Sequence, residues 1–336
     1  MTLPVVHIHL GSELPAYFEE TVRQTRRFHS GPLVCVGPSA GHVDASRWNE
    51  AKPIQQLREL SWLDRRYDRR LNKRHYPNGL WGHALARFFV LAELMRERGW
   101  ETALQVENDV AIYFDPQAAA DVMQQCFGAA CAAIPVSPTE GCTAALFYVG
   151  SLAALDAICA EILRLLPLGE AALRAEISSW MVNEMTLFGI VQRRRPDLLG
   201  SFPIAPSAPI RPPILPRGPR HRWPGWAMFS RVWDSVAPKY AELAPPDLSN
   251  HADAFGALFD PSSLGQFAAG TPQGHPPGVT FPHHWLGRDL ASGRFSLIWA
   301  HDAQGRRIPF VSDAADGRAW RLNNLHIHSK RIGDFV

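Results

Sequence analysis

The sequence has little that would mark it for a membrane, an export route or a nucleic acid. In its 336 residues no apolar run approaches the length of about 18 that spans a bilayer. Met1 is not followed by a charged and then apolar leader, so the expected compartment is the cytoplasm, with no membrane span. Neither sign of charge dominates: 34 Lys and Arg face 32 Asp and Glu, a formal net charge of +2. That balance argues against nucleic acid as a partner bound through a general basic field. The local run Arg65, Arg66, Arg69, Arg70, Lys73 and Arg74 reads as a solvated helix face. Cysteines are few, odd in number and without CxxC spacing; Cys35, Cys126, Cys131, Cys142 and Cys159 read as buried free thiols, not a zinc site. There is no GxGxxG after the first apolar segment and no repeat of solenoid period.

What remains is an ordinary globular composition, 46% hydrophobic and 20% charged, long enough to bury a large core without staples. Leu3 to Leu10 reads as a strand, Ala16 to Phe28 as an amphipathic helix on apolar Phe18 and Val22, and Leu33 to Val36 as a second strand. This strand, helix, strand order builds a parallel sheet, so an α/β class follows. Leu80, Leu85, Phe88, Phe89, Leu91, Leu94 and Met95 recur at helical spacing up to a cap at Gly99. A strand over Thr102 to Val106 runs into Glu107-Asn108-Asp109, and Val110 to Phe114 resumes the extended pattern. Further on, the pattern predicts a helix over Pro116 to Phe127 and strands at Ala130 to Pro135 and Thr143 to Val149. Helices over Ser151 to Leu166 and roughly Glu170 to Val191 follow. Nine prolines between Pro196 and Pro224, followed by Trp223, Trp226 and Trp233, predict an irregular surface loop. Phe295 to Trp299, Ile308 to Val311 and Arg321 to His328 read as strands.

Chemistry concentrates in two stretches. Glu107 and Asp109 stand at the carboxyl end of a buried strand, where open α/β sheets place ligands. Alternation along an extended segment would point both at one hard divalent ion, or at an ion and a ribose hydroxyl. Near the end, Asn323-Asn324-Leu325-His326-Ile327-His328-Ser329-Lys330 puts two imidazoles on one face with a lysine beyond. A neutral imidazole suits a metal, and Lys330 with Ser329 suits phosphate oxygens. Taken singly, each stretch also reads as a turn or as surface histidines. His7 and His9 form a second HxH ahead of Gly11, and core service is the simpler reading for them. Arg87, on an apolar helix face, either anchors a carboxylate or reaches a nucleotide or the acidic triplet. Asn183-Glu184, Asp260 and Gln266 are polar groups set in apolar sequence, candidates for a base or a sugar-hydroxyl partner; Asp260 before Pro261 also fits a helix cap.

Together, Val5 to Leu10 with Pro15-Ala16-Tyr17, Glu107-Asn108-Asp109, Phe259-Asp260 with Leu264-Gly265-Gln266, and Asn324 to Lys330 resemble bacterial nucleotide-sugar glycosyltransferases of the GT-A fold. The triplet resembles that fold's DxD motif, with Glu in place of the first Asp, and the HxHSK segment is similar to its late histidine and lysine. The resemblance implies one Rossmann-like domain with a mixed, mostly parallel sheet flanked by helices and a proline-rich insertion. Residues 1–195 would form the nucleotide-sugar half, 196–255 the insertion, and 256–336 the acceptor half with the metal and diphosphate segment. It further implies transfer of a sugar from a nucleoside-diphosphate sugar, UDP-linked for preference, to a glycan, peptide or small-molecule acceptor with Mn²⁺ or Mg²⁺. Asp109, Glu107 and one of His326 and His328 would hold the metal. His9, Gly11, Arg87, Glu107, Asn108, Ser329 and Lys330 would line the donor site. If the anomeric centre inverts, Glu184 or Asp260 would be the base. Other readings are a binding protein without turnover, a sugar nucleotidyltransferase, for which the early glycine-rich loop is missing, and a Zn²⁺ hydrolase caging its ion with His7, His9, His326 and His328.

Overall fold

The computed structural model describes residues 2–38, 43–59, 80–137, 141–177, 182–205, 250–270, 276–278 and 293–336. The basic run Arg65 to Arg74, the tryptophans Trp223, Trp226 and Trp233 and most of the proline-rich stretch lie outside these residues.

Apolar Val5 and Val6 open strand β1 (Val5–Ile8), which leads through helix α1 (Phe18–Phe28) to β2 (Leu33–Gly37) and the short β3 (Val43–Asp44). Helices α2 (Lys52–Glu59) and α3 (Leu80–Arg98) precede β4 (Ala103–Val106). There follow β5 (Val110–Ile112), α4 (Ala120–Phe127), β6 (Cys131–Ser137), β7 (Gly141–Val149), α5 (Leu152–Leu165), α6 (Gly169–Ile177), α7 (Glu184–Arg194) and β8 (Leu199–Ser201). Seven of these strands form one sheet in the order β3-β2-β1-β4-β7-β6-β8. Pairing is parallel except where β7 meets β4 and β6, so the sheet is mixed and mostly parallel, as expected. On one face Val6, Phe147 and Val149 pack with Phe88 and Leu91 of α3 and Phe188 of α7. On the other, Val5, Leu104 and Tyr148 pack with Met123 and Phe127 of α4 and with Phe202 and Phe259.

The described residues from 250 onward build a second layer against the first. Helix α8 (Ala252–Phe255), β9 (Ala257–Leu258), α9 (Ser263–Ala269), β10 (Phe295–His301), β11 (Arg307–Asp313) and β12 (Ala319–Leu322) come before β13 (Asn324–His326). Strands β9 to β12 make a separate four-stranded sheet, while β13 leaves it to pair antiparallel with β5. The single strand predicted over Arg321 to His328 is therefore two strands in two sheets. Asn323 is the junction: its N–H donates to Leu258 O at 2.9 Å and its carbonyl accepts from Tyr113 N at 2.9 Å.

Three further expectations change. The single helix predicted over Glu170 to Val191 is two, because Asn183 starts a new one: its Oδ1 accepts from Thr186 N at 3.0 Å, a side-chain cap that fixes Glu184 as the first helical residue. The proline-rich stretch begins with order, since Leu199–Ser201 pairs with β6 and extends the main sheet beyond residue 195. The inner face of α1 is set by Phe18, Thr21, Gln24, Thr25 and Phe28, and Val22 is only half-buried. Buried hydroxyls and an amide are tolerated there because each finds an acceptor: Thr21 Oγ1 donates to Asn108 O at 2.5 Å and Gln24 Nε2 to Ile112 O at 2.8 Å. Helix α1 thus grips the turn after β4 through hydrogen bonds, and Gly99, at φ +64°, ends α3 as expected.

Gly265 is where α9 touches β13 most closely. A Cβ there would run into the His326 backbone, 2.7 Å from its carbonyl carbon, and would stand 2.8 Å from Asp260 Oδ2. A backbone atom held in a ladder cannot yield as a flexible side chain can. Gly265→Ala is expected to cost about 2 kcal/mol, in the range of overpacked cores, as a lower urea midpoint with an unchanged slope.

Candidate functional site

The acidic triplet is not an extended segment. Val110 N donates to Glu107 O at 3.2 Å, closing a turn in which Glu107 and Asp109 flank Asn108. The alternation argument for the two carboxylates fails here, because the chain turns at Asn108 and Asp109, yet both side chains still reach one centre. The cause is the partner strand. His326 pairs with Val110 across the β5 and β13 ladder, and Ile327 N donates to Asp109 O at 2.7 Å, so imidazole and carboxylate meet although 217 positions separate them. His326 Nε2 lies 3.2 Å from Asp109 Oδ2 and 3.4 Å from Glu107 Oε2.

Cations close the cluster from two sides. Arg87, from the middle of α3, pairs with Glu107 and donates to Ala144 O at 3.3 Å. Lys330 pairs with Asp109, and its ammonium lies 5.9 Å from the Tyr17 ring. Burial alone would raise the Asp109 carboxyl, but the charges of Lys330 and His326 outweigh it and hold it well below the usual carboxylate range. The converse applies to His326: burial favours the neutral ring, and Asp109 beside it reverses the balance and pushes it up. Burial, with Asp109 nearby, pushes the Tyr17 phenol up to about 12, so it stays protonated at neutral pH.

One ligand atom each of Glu107, Asp109 and His326 lies within 4.8 Å of the other two. Two carboxylate oxygens and one imidazole nitrogen are a donor set that fits Mn²⁺ or Mg²⁺, and it is the one candidate metal cluster among the described residues. His328 is not part of it. Its ring stacks on His326 with centroids 4.1 Å apart, and its Nε2 lies 2.5 Å from Ser262 Oγ and 3.3 Å from Gln266 Nε2. Ser262 Oγ also lies 3.2 Å from His326 Nδ1, the nitrogen away from the carboxylates. Ser262 and Tyr17 were not legible as site residues. Ser262 sits in a left-handed turn at φ +83°, for which the sequence carries no glycine signal.

Other candidates are placed differently. Asp260 is fully buried, and its carboxylate accepts from the backbone N–H groups of Leu264, Gly265 and His326 at 2.9 Å each. It staples α9 to β13, and that employment displaces the reading of Asp260 as a base. Asn108 Nδ2 is 3.0 Å from His9 Nδ1, and a Cβ on Gly11 would stand 2.6 Å from His9 Nε2, so these three residues form one loop contact beside the cluster. The Ser329 hydroxyl accepts from Arg331 N at 3.4 Å. His7 is a core histidine: it is fully buried, lies 3.1 Å from Thr25 Oγ1 and is lowered to about 4 by burial. A cage of four histidines is not assembled, since His7 serves α1 and His9 serves Asn108. The five cysteines are free; Cys131, Cys142 and Cys159 are buried as expected, whereas Cys35 and Cys126 are only half-buried because they lie at the margin of the packed layers.

No family model and no curated protein matches the sequence. Among solved structures, the chain is similar to mouse xyloside xylosyltransferase 1 in its apo form, at 8% identity and a TM-score of 0.40, over 60% of this chain and 86% of that one. It is similar to a glycosyltransferase involved in glycosylation of the major capsid of PBCV-1, at 10% identity and a TM-score of 0.33, over 60% and 81%. A third likeness is to the glycosyltransferase GlyE of Streptococcus pneumoniae TIGR4, at 15% identity and a TM-score of 0.32, over 60% of this chain and 45% of that one. No helix among the described residues is long and apolar enough to cross a membrane.

Glu184 stands apart from the candidates above. At the first position of α7 it is 5% exposed, and its Oε2 has no partner among the described residues. Burial pushes its carboxyl up to about 7, with Arg87 pulling it down and Glu107 pushing it further up. An acid raised in the folded state binds more protons there than when unfolded, so stability falls as pH rises from about 4.5 to about 7. At one pKa unit per 1.36 kcal/mol the loss is about 3 kcal/mol. Urea titrations at pH 5 and pH 8 are expected to show that decrement in the wild type and its absence in Glu184→Gln.

Proposed function

We propose that the protein is a metal-dependent glycosyltransferase that moves a sugar from a nucleoside-diphosphate donor, UDP-linked for preference, to an acceptor hydroxyl or amine. The observation that carries this reading is the meeting of Glu107, Asp109, His326 and Lys330 at the carboxyl end of β4, where parallel strands direct ligands. Two carboxylates, an imidazole and an ammonium are the donors that a divalent cation and a diphosphate together require.

In this reading Asp109, Glu107 and His326 hold Mn²⁺ or Mg²⁺. The bound ion supplies a Lewis acid that stabilises the departing diphosphate. Lys330 adds a positive charge for the phosphate oxygens, and Arg87 orients the Glu107 carboxylate. Asn108, His9 and Gly11 shape the adjoining wall for the nucleoside, and Ser329 contributes its hydroxyl near the phosphates. Ser262 fixes the ring of His326 through Nδ1, as partners of metal-binding histidines commonly do. Glu184, raised toward neutrality and next to the Arg87 and Glu107 pair, is the carboxyl suited to accept the acceptor's proton if configuration inverts. The acceptor is a glycan, peptide or small molecule, the site of action is the cytoplasm, and nucleic acid is not a partner.

Incubation with a panel of nucleotide sugars and Mn²⁺ is expected to release a nucleoside diphosphate from one of them, and chelation to stop the release. Asp109→Ala is expected to lower the rate by about 100-fold or more, the scale on which lost charge stabilisation is felt. Full release by that variant under saturating Mn²⁺ would refute the metal assignment.

A further inference from the structure

Both carboxylates of the candidate ion site already have cationic partners without an ion. Arg87 pairs with Glu107 and Lys330 with Asp109, so two carboxylates face two permanent cations. The Lys330 ammonium sits on Asp109 Oδ2, the same oxygen that faces His326 Nε2. A divalent ion drawn to that oxygen would share a buried corner with an ammonium, and like charges at such range repel strongly where water is scarce. One of the two must leave, or an anion must arrive.

The backbone aims Lys330 at this seat. Its N–H donates to Ile327 O at 2.9 Å and its φ is +64°, a left-handed conformation uncommon outside glycine and asparagine. The tight turn so formed folds the side chain back over Asp109. The side chain as a whole is 37% exposed, against 10% for Asp109, so the lysine stem borders solvent while its ammonium turns inward to the carboxylate. The Tyr17 ring, 5.9 Å from Nζ, faces that ammonium.

We propose that Lys330 is a tethered stand-in for the metal ion: its ammonium occupies the cation seat at Asp109 in the resting protein and moves to the diphosphate when ion and donor bind together. This rests on the metal-site reading above and adds an order of events to it. A tethered cation competes at high effective concentration, so the ion alone binds weakly. A diphosphate gives Lys330 another anion to hold and frees Asp109, so ion and diphosphate each strengthen the other's binding by the same factor. Ion uptake in the absence of donor is thereby suppressed.

The test is calorimetric titration of Mn²⁺ alone into the wild-type 336-residue chain, Lys330→Met and Lys330→Arg, with a second series in which inorganic pyrophosphate is titrated into Mn²⁺-saturated protein. Lys330→Met removes the charge at nearly constant length and is expected to bind Mn²⁺ at least tenfold more tightly than the wild type while binding pyrophosphate less tightly. Lys330→Arg keeps a competing cation and is expected to bind Mn²⁺ within about threefold of the wild type. Equal or weaker Mn²⁺ binding by Lys330→Met, or equal tightening in Lys330→Arg, overturns the exchange while leaving the ion site standing. If none of the three proteins takes up Mn²⁺ with or without pyrophosphate, the ion site itself fails and the exchange falls with it. Donor cleavage independent of metal would then be the reading that remains.

Discussion

Pairing of β13 with β5 is the contact on which the candidate site depends. Three backbone pairs, Asn324 with Ile112, Leu325 with Ala111 and His326 with Val110, bring an imidazole to an aspartate that the main sheet alone could not provide with a partner. Everything near it serves that register. Asp260 ties the His326 N–H to the start of α9, Gly265 allows α9 to lie directly on the strand, and Thr21 of α1 holds the opposite side of the Asn108 turn. Leu325 and Ile327, both fully buried, alternate with the two histidines and anchor the strand in the apolar layer beneath.

Electrostatics set a second constraint. A carboxylate taken out of water needs compensation by cations and donors, because an isolated buried charge costs several kcal/mol even after relaxation. Glu107 and Asp109 receive it from different elements, Arg87 on α3 and Lys330 beyond β13, and His326 lies between them. The arrangement joins the two layers of the molecule by charge at the point where their strands join by hydrogen bonds. Glu184 shows the contrary solution: one of its oxygens has no partner among the described residues, and burial raises its carboxyl to about 7 so that the neutral and ionised forms lie close in energy near neutral pH.

How much of this could be read in the sequence follows from the range of the forces involved. The first strand, helix, strand unit, the long helix up to Gly99 and the mostly parallel sheet are local patterns of apolar spacing and glycine, and they appear as read. The residue types of the cluster were legible because acidic and imidazole groups set in apolar sequence are unusual. Their geometry was not: a turn replaces the expected extension at Asn108, and the break at Asn323 depends on which sheet offers a free edge. Helix α1 turns Thr21 and Gln24 inward because acceptors on β5 and its turn await them, which no hydrophobic pattern reveals. Ser262 and Tyr17 are not marked as site residues by the sequence for the same reason, since their place in the site comes from residues 64 and 313 positions away.

The sheet exchange at Asn323 has a consequence for synthesis. A growing polypeptide can complete most of its central sheet once β8 has emerged, well before residues 324–330 exist. Until residues 324–330 leave the ribosome, the buried edge of β5 lacks its neighbour and Asp109 lacks the counter-charges of His326 and Lys330. Chains interrupted late in translation would therefore present an organised core with an open, acidic wound, which is a form that proteases and chaperones can distinguish from the finished molecule.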